Sequence, residues 1–274
     1  MPPFPKDEYT TKDIADALLD FYKFLTTLHY DAKHLKPPPP EGWPGLDPLL
    51  DHLGRSDYVR DVMKRIPYFD NDSKSNIHYK SRLVDYPTLP EDCFENVMDW
   101  RLGWDDANNQ VWSNRRDTIV DFSDFFPIAL GHETWGRHIW LNARDGEIME
   151  EANRMHDCEP VDLREYLDGL KQAYINLDLI PCRGRFTFEV VNDVGELPEG
   201  KRITEEEVIS QDEEWETELD IKYIRQLYRD FGWPNAFRQD EAFDAVDELM
   251  DKIKDRRGEW EADHFKSKNE GHWC

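Results

Sequence analysis

The sequence predicts an α+β fold in which an antiparallel β-sheet is flanked by helices at both ends of the chain. Residues 125–151 contain two apolar runs and an Asp-Gly turn, a pattern that is typical of a β-meander. Apolar residues also recur at helical spacing near both chain ends. A chain of 274 residues can bury a sizeable core, so we expect one domain. Its parts are an N-terminal helical part at 1–70, a sheet core at 71–192, C-terminal helices at 193–260 and a polar tail at 261–274.

Three helices are predicted in the N-terminal part. The apolar positions over 14–28 have the spacing of one helix face, and Thr10 or Thr11 can cap the first turn. Two short helices follow over 46–53 and 57–66, and a glycine separates them. The caps and the separating glycine set where these helices begin and end.

Two segments lie between these helices and the meander. Residues 77–83 alternate between apolar and basic or polar side chains, which predicts one strand with a basic outer face. Residues 87–112 follow neither the helical nor the strand period and are predicted to form a long loop. Trp104 lies in this loop, where an aromatic side chain either covers a pocket or pins the loop to the core. In the first case Trp104 is a candidate for substrate binding.

The chain after the meander is predicted to be mostly helical. An amphipathic helix over 163–177 begins at an Asp-x-x-Glu cap, and a strand over 186–190 follows it. Thr204-x-x-Glu207 is the cap of an acidic helix, and nine of the sixteen residues at 205–220 are acidic. Two further amphipathic helices are predicted over 221–231 and 242–253.

Charge and composition exclude some functions. The formal net charge of −25 argues against broad, nonspecific binding of nucleic acid, because each phosphate contact would form in a repulsive field. The acidic run at 205–220 is either a solvated helix face or a surface that attracts a cationic partner protein. No apolar run approaches the roughly 18 residues that span a bilayer, and the N-terminus lacks an apolar signal region. The four cysteines lack the density of a disulfide-stapled secreted domain. We therefore expect a cytoplasmic protein with no membrane partner.

The connection between the first two meander strands is one candidate site. It reads Gly-His-Glu-Thr-Trp-Gly-Arg and places an imidazole, a carboxylate, an indole and a guanidinium within seven residues. In a functional loop His132, Glu133 and Arg137 are catalytic candidates, and Trp135 is a candidate for substrate binding. In a purely structural turn Trp135 plugs the end of the sheet and Arg137 pairs with Glu133. The sequence leaves both interpretations open.

Cys182 is the second candidate site. Arg183 and Arg185 flank it closely enough to stabilise a thiolate, and they are also candidates for substrate binding. Together with His132, the thiol would suit a hydrolase of small molecules. The alternative is that Cys182 is a buried packing residue beside a strand.

Acidic side chains near the meander offer a third feature. A guanidinium-bearing substrate needs carboxylates in a fork, for which Asp121, Asp124 and Glu133 are candidates. The sequence contains no phosphate loop, dinucleotide fingerprint, nucleophile elbow or zinc-protease helix. His156 and Cys158 supply only two of the three or four ligands that a zinc site uses. No metal and no cofactor is therefore predicted.

Several segments of the chain carry a resemblance to known proteins. They are Pro38-Pro39-Pro40-Glu41-Gly42-Trp43-Pro44, Ala129-Leu130-Gly131-His132-Glu133, Asp145-Gly146-Glu147-Ile148, Leu179-Ile180-Pro181-Cys182 and Ile221-Lys222-Tyr223-Ile224-Arg225. Together they resemble a large group of filamentous-fungal proteins, with which the fungal arginine-containing cyclodipeptide synthases are grouped. The resemblance covers nearly the whole chain. It implies an enzyme of fungal secondary metabolism that joins arginine and a second amino acid, both taken from aminoacyl-tRNA, into a diketopiperazine without using ATP.

Such a reaction needs a base, donors for a tetrahedral oxyanion and an acidic pocket for arginine. His132, Glu133, Arg137 and Cys182 are the residues proposed for these roles. The acidic balance of the chain opposes a tRNA substrate unless its basic residues converge on one face. The residues required for such a face are Lys80, Arg82, Arg115, Arg116, Arg183 and Arg185.

Residues 120–180 carry a different resemblance. The order of strands, Asp-Gly hairpin and following helix is similar to the SUKH superfamily of cell-wall regulators and toxin-immunity proteins. That resemblance implies a SUKH-like core with helical additions at both ends, and a module without catalytic activity that presents an acidic surface to a partner protein. The acidic 205–220 helix is the expected contact surface.

Overall fold

An antiparallel sheet accompanied by helices confirms the predicted α+β class. The structure is a computed structural model, and it describes residues 9–70, 75–91, 112–131, 136–152, 159–183 and 187–258. These residues contain seven α-helices: α1 (Thr11–Leu28), α2 (Asp47–Leu53), α3 (Asp57–Arg65), α4 (Leu163–Asn176), α5 (Glu205–Ile209), α6 (Glu218–Asp230) and α7 (Gln239–Arg257). Their strands are β1 (Leu35–Lys36), β2 (Tyr68–Phe69), β3 (Asn76–His78), β4 (Ser81–Leu83), β5 (Trp112–Ser113), β6 (Thr118–Ile119), β7 (Phe125–Gly131), β8 (Arg137–Asn142), β9 (Glu147–Ala152), β10 (Val161–Asp162), β11 (Leu179–Pro181) and β12 (Thr187–Glu189).

The chain divides into two compact units. The first unit runs to Lys171 and the second begins at Gln172, so the division falls within α4. The first unit contains a six-stranded sheet in the order β10-β9-β8-β7-β4-β3 and two small two-stranded sheets, β1 with β2 and β5 with β6. All pairs in the six-stranded sheet are antiparallel. The second unit contains the two-stranded sheet of β11 and β12 and the helices α5 to α7.

The predicted N-terminal helices are confirmed as α1, α2 and α3. The side chain of Thr10 accepts a hydrogen bond from the backbone N–H of Asp13 at 3.1 Å, and the Asp13 carboxylate accepts one from the N–H of Thr10 at 3.1 Å. This reciprocal capping box sets the first residue of α1. Gly54 ends α2 in the left-handed conformation with φ of +59°, which glycine adopts without a steric penalty.

The predicted meander is confirmed as β7, β8 and β9. The strand β8 pairs with β9 over six residues, from Arg137 opposite Ala152 to Asn142 opposite Glu147. Gly146 closes the turn between them with φ of +63°. On one face of the meander the buried side chains of Val120, Phe125, Trp140 and Met149 form an apolar cluster.

The prediction of one strand over 77–83 is wrong. The chain instead forms a tight hairpin of β3 and β4, in which His78 pairs with Ser81 and Lys80 takes a φ of +48°. The turn has no local signal in the sequence, because neither Tyr79 nor Lys80 is a residue that turns favour. One consequence is that His78 is buried, whereas a single strand would have placed it on a basic outer face.

Tyr9 connects several parts of the first unit. Its hydroxyl donates a hydrogen bond of 2.8 Å to Asp162, whose carboxylate also accepts from the N–H groups of Arg164 at 2.9 Å and Glu165 at 3.3 Å. These bonds confirm the predicted cap of α4. The guanidinium groups of Arg115 and Arg164 lie over the Tyr9 ring, at 5.1 and 5.0 Å from its centroid. Burial first, and then the hydrogen bond to Asp162, raises the pKa of Tyr9 to about 12.

The prediction of an acidic helix over 205–220 is wrong. The helix α5 ends at Ile209, and α6 begins at Glu218 with its own capping box, in which Thr217 accepts from the N–H of Asp220. Trp215 lies between the two helices and is buried, with 9% of its surface exposed. The helical conformation is interrupted where the apolar side chain of Trp215 packs in the core. The acidic residues around Trp215 give the segment a uniform pattern that does not indicate this interruption. The predicted cap of α5 at Thr204 and the predicted end of the 221–231 helix before Gly232 are confirmed.

A buried ion pair organises the second unit. Asp220 and Arg257 have no exposed side-chain surface, and two hydrogen bonds of 3.0 and 2.7 Å join them. Arg257 also donates to the carbonyl oxygens of Val208, at 2.9 Å, and Glu213, at 2.6 Å. Gln211 donates to the Asp220 carboxylate at 2.8 Å. The pair therefore fixes α5, the chain that follows it, α6 and α7 to one another.

Substitution of Gly146 by alanine is expected to destabilise the protein through two separate effects. The left-handed backbone costs a residue with a Cβ atom about 1–2 kcal/mol. A Cβ atom at Gly146 would also lie 2.1 Å from Cδ2 of Tyr9. Gly54 is the matched control, because it has a similar φ of +59° and no atom within 4 Å of the position of a Cβ. Urea denaturation should show a larger loss of unfolding free energy for Gly146→Ala than for Gly54→Ala.

A double-mutant cycle isolates the contact with the ring. In a Tyr9→Ala background, the loss caused by Gly146→Ala should fall to the value of Gly54→Ala, because the obstructing ring has been removed. An unchanged loss in that background would mean that the contact between Tyr9 and Gly146 contributes nothing.

Replacement of Asp220 by asparagine is expected to lower the free energy of unfolding by about 3–5 kcal/mol, because the charge of Arg257 is left buried without compensation. The control is Asp230→Asn, which removes the acidic partner of the exposed Arg202 and should leave stability almost unchanged. Chemical denaturation of both variants provides the test. Equal effects of the two substitutions would contradict the central role of the buried pair.

Candidate functional site

The predicted site residues fall into two groups. His132, Glu133, Trp135, Trp104 and Arg185 lie outside the described residues, as do His156 and Cys158. The remaining candidates are described. They are Asp121, Asp124, Arg137, Cys182 and Arg183.

Arg137 begins β8 and lies in a cluster of polar side chains that the sequence does not reveal. Its Nε donates to Glu150 at 3.0 Å, and its Nη1 lies 2.9 and 2.6 Å from the two ring nitrogens of His78. The hydroxyl of Tyr166 donates to the other carboxylate oxygen of Glu150 at 2.7 Å. We call Arg137, His78, Glu150 and Tyr166 the Arg137 cluster.

The cluster holds the imidazole of His78 in its neutral form. Burial first, and then the positive charge of Arg137, lowers the pKa of His78 well below its usual range. The Nδ1 atom of His78 accepts a hydrogen bond of 2.7 Å from the N–H of Tyr79. Sequence reasoning missed the cluster because it joins His78 of β3 to residues of β8, β9 and α4, and His78 lies 59 positions before Arg137. The only local signal was the histidine in the segment that was predicted as one strand.

Cys182 and Arg183 have structural partners. The Cys182 side chain is 3% exposed, and its thiol donates to the carbonyl oxygen of Ile180 at 3.3 Å. That hydrogen bond requires the protonated thiol. Arg183 forms ion pairs with Asp244 and Asp247 of α7, the second at 2.6 Å. These contacts favour the interpretation of Cys182 as a packing residue, because the neighbouring guanidinium is held by carboxylates of α7.

Asp121 and Asp124 also hold the local chain. The Asp121 carboxylate accepts from the N–H of Ser123 at 2.8 Å, and this backbone hydrogen bond lowers the pKa of Asp121. Asp124 is buried and accepts from the hydroxyl of Ser56 at 2.6 Å, with Arg144 at 3.5 Å. Each carboxylate thus stabilises a turn or a helix start, and they serve different elements.

Three of the six basic residues required for a tRNA-binding face form ion pairs within the protein. Arg115 forms an ion pair with Asp162 at 2.6 Å, and only 9% of its side chain is exposed. Arg116 forms an ion pair with Asp145 at 2.5 Å, and Arg183 is held by α7 as described above. Neutralised in this way, these guanidinium groups offer little positive field to a polyanion.

The strongest surface feature of the second unit is its acidity. Residues 172–258 contain 22 acidic and 12 basic residues, a formal charge of −10. The densest part is residues 205–218, which we call the acidic segment, with eight acidic and no basic residues. Seven of these eight side chains are exposed. They are Glu206, Glu207, Asp212, Glu213, Glu214, Glu216 and Glu218.

The acidic segment is held in a defined shape although its charges repel one another. Lys252 forms an ion pair with Glu205 at 2.5 Å, and Lys222 forms one with Glu218. Arg256 donates to the carbonyl oxygens of Ile209 and Gln211. A surface that is both strongly charged and fixed in shape can select a partner, whereas a solvated charged tail attracts cations without selectivity.

No family model, curated protein or solved structure matches this chain at a significant level. Across the part of the chain that the structure describes, no helix has the length and apolar character needed to cross a membrane. Within the same residues, no three His, Cys, Asp or Glu side chains converge in the manner of metal ligands.

Proposed function

We propose that this chain is a protein-binding module whose acidic segment docks a partner protein with a basic surface. The observation that carries the proposal is the row of seven exposed carboxylates, held in place by the buried pair of Asp220 and Arg257. The segment that carries these side chains is already held in place before a partner binds, which lowers the entropic cost of association. The resemblance of residues 120–180 to the SUKH superfamily supports the same proposal.

The contacts of one candidate catalytic residue, Cys182, and of two candidates for substrate binding, Arg183 and Asp124, add support. The thiol of Cys182 is buried and protonated in its hydrogen bond, and Arg183 and Asp124 serve as structural partners. An enzyme that used these groups would need them to be accessible to a substrate. A binding module does not need these groups to be accessible. Docking of a basic partner would also account for the negative charge of the acidic segment.

Reversal of charge in the acidic segment is expected to abolish binding of the partner protein. The test variant carries Glu206→Lys, Asp212→Lys, Glu213→Lys and Glu214→Lys, whose side chains are all exposed. A matched control carries four reversals on α7: Asp240→Lys, Glu241→Lys, Glu248→Lys and Asp255→Lys. Quantitative mass spectrometry of affinity-purified complexes should identify a protein that the control retains and the test variant loses.

Binding of the purified partner to the purified chain then measures the interaction directly. The association rate should fall as salt is added, because exposed charges steer the encounter and salt screens them. Unfolding curves of both variants establish that the fold survives. Loss of the partner from the control to the same extent, or an interaction that is insensitive to salt, would contradict the proposal.

Cyclodipeptide synthesis is the second candidate function, and the Arg137 cluster favours it. This cluster gathers an imidazole, a guanidinium, a carboxylate and a phenol, and its guanidinium belongs to Arg137, one of the proposed catalytic residues. Such groups can supply proton transfer and stabilisation of an oxyanion during aminoacyl transfer from aminoacyl-tRNA.

Mass spectrometry of small molecules from cells that express the chain tests this candidate. A synthase should yield new arginine-containing diketopiperazines, and Arg137→Ala and His132→Ala should abolish them with the fold intact. Cys182→Ala is the informative comparison, since a buried packing thiol should be dispensable for turnover. An unchanged set of metabolites from well-folded protein would remove synthesis from consideration.

A further inference from the structure

A cleft of about 280 Å³ in the second unit adjoins the acidic segment. It is lined by residues 188–194 and by Glu216, Glu218 and Ile221. Pockets for drug-sized ligands have volumes of roughly 300–1,000 Å³. The cleft is therefore suited to one large side chain and its immediate neighbours.

Half of the residues that line the cleft are apolar. Phe188 and Ile221 are buried, with 8% and 3% of their surface exposed, whereas Val191 is 86% exposed. Val191 is the most exposed of the large hydrophobic side chains among the described residues. An exposed apolar group at the edge of a cleft gains stability when a partner covers it.

The polar part of the lining carries one sign of charge. The carboxylates of Glu189, Asp193, Glu216 and Glu218 line the cleft, and none of the described residues that line it is basic. The neighbouring Lys222 forms an ion pair with Glu218. A lining that carries carboxylates and no basic side chain favours a cationic occupant.

We propose that the cleft docks an arginine side chain of the partner protein. This inference rests on the proposed function and specifies the anchor of the interaction. The aliphatic stem of arginine can pack on Val191 while its head reaches the carboxylates, which matches a lining that is half apolar and otherwise mostly acidic. The guanidinium presents five donors in a planar fork and is weakly hydrated, so it suits several carboxylates better than the compact, strongly hydrated ammonium of lysine.

Fluorescence anisotropy with the full-length chain tests the proposal. The probe is a labelled ten-residue peptide that contains one arginine between two valines. Two further peptides replace the arginine by lysine or by citrulline, which keeps the shape of arginine without its charge. We expect the arginine peptide to bind most tightly, the lysine peptide more weakly and the citrulline peptide at least tenfold more weakly.

Two charge-matched pairs of substitutions locate the binding site. Asp193→Asn with Glu216→Gln removes two carboxylates from the cleft, and Asp240→Asn with Glu248→Gln removes two from α7. The cleft variant should bind the arginine peptide at least tenfold more weakly, and the α7 variant should retain binding. Val191→Ser should weaken binding of the arginine and lysine peptides alike, because both stems pack on the valine.

The outcomes separate this inference from the proposed function. Equal losses in the two charge-matched variants would overturn the cleft as the anchor and leave the acidic surface as the binding feature. Binding of arginine amide as tight as that of the arginine peptide would also overturn it, since the cleft would then recognise a free small molecule. If charge reversal in the acidic segment fails to remove any partner, the proposed function itself is lost, whatever the peptides show.

Discussion

The buried ion pair between Asp220 and Arg257 is the interaction on which the second unit depends. Desolvation of two charges is costly, and their attraction offsets that cost only when the surrounding hydrogen bonds are complete. Here the carbonyl oxygens of Val208 and Glu213 accept from Arg257, and Gln211 donates to Asp220. The same hydrogen bonds hold the backbone of the acidic segment in place. The shape of the acidic surface and the stability of the second unit therefore depend on the same interactions.

This arrangement explains how a strongly acidic segment folds at all. Neighbouring carboxylates repel one another and favour an extended chain. Two buried anchors, Val208 and Trp215, oppose this repulsion by removing apolar surface from water. The capping boxes at Thr204 and Thr217 use acidic side chains at helix starts, where the helix dipole stabilises negative charge. Part of the acidity therefore supports the fold, and the remainder is available for recognition.

Local signals in the sequence predicted much of the fold. The caps at Thr10 and Thr204 and the Gly146 turn depend on residues within a few positions, so spacing alone identified them. The turn at Lys80 escaped prediction because its φ is imposed by strand pairing. The break in the predicted 205–220 helix escaped because only the folded core shows that Trp215 must be buried.

The candidate site was harder to predict than the fold for a related reason. His78, Arg137 and Glu150 meet only after the sheet has formed, and the cleft beside Val191 combines residues about 25 positions apart. Sequence reasoning identified the acidic run and placed Arg137 beside its chain neighbours His132 and Glu133. It did not identify their distant partners, because long-range pairing determines which side chains converge.

The contact between Tyr9 and Gly146 has a consequence for how related sequences should vary. Two independent constraints act on Gly146, its left-handed backbone and the ring above it. The backbone constraint does not depend on Tyr9, whose own contacts are the one with Gly146, the hydrogen bond to Asp162 and the two guanidinium groups over its ring. Loss of the aromatic ring during divergence would relax the steric constraint and leave the backbone constraint in force. We therefore expect an asymmetric covariation, in which glycine persists at 146 after Tyr9 has been replaced, and the reverse combination is rare.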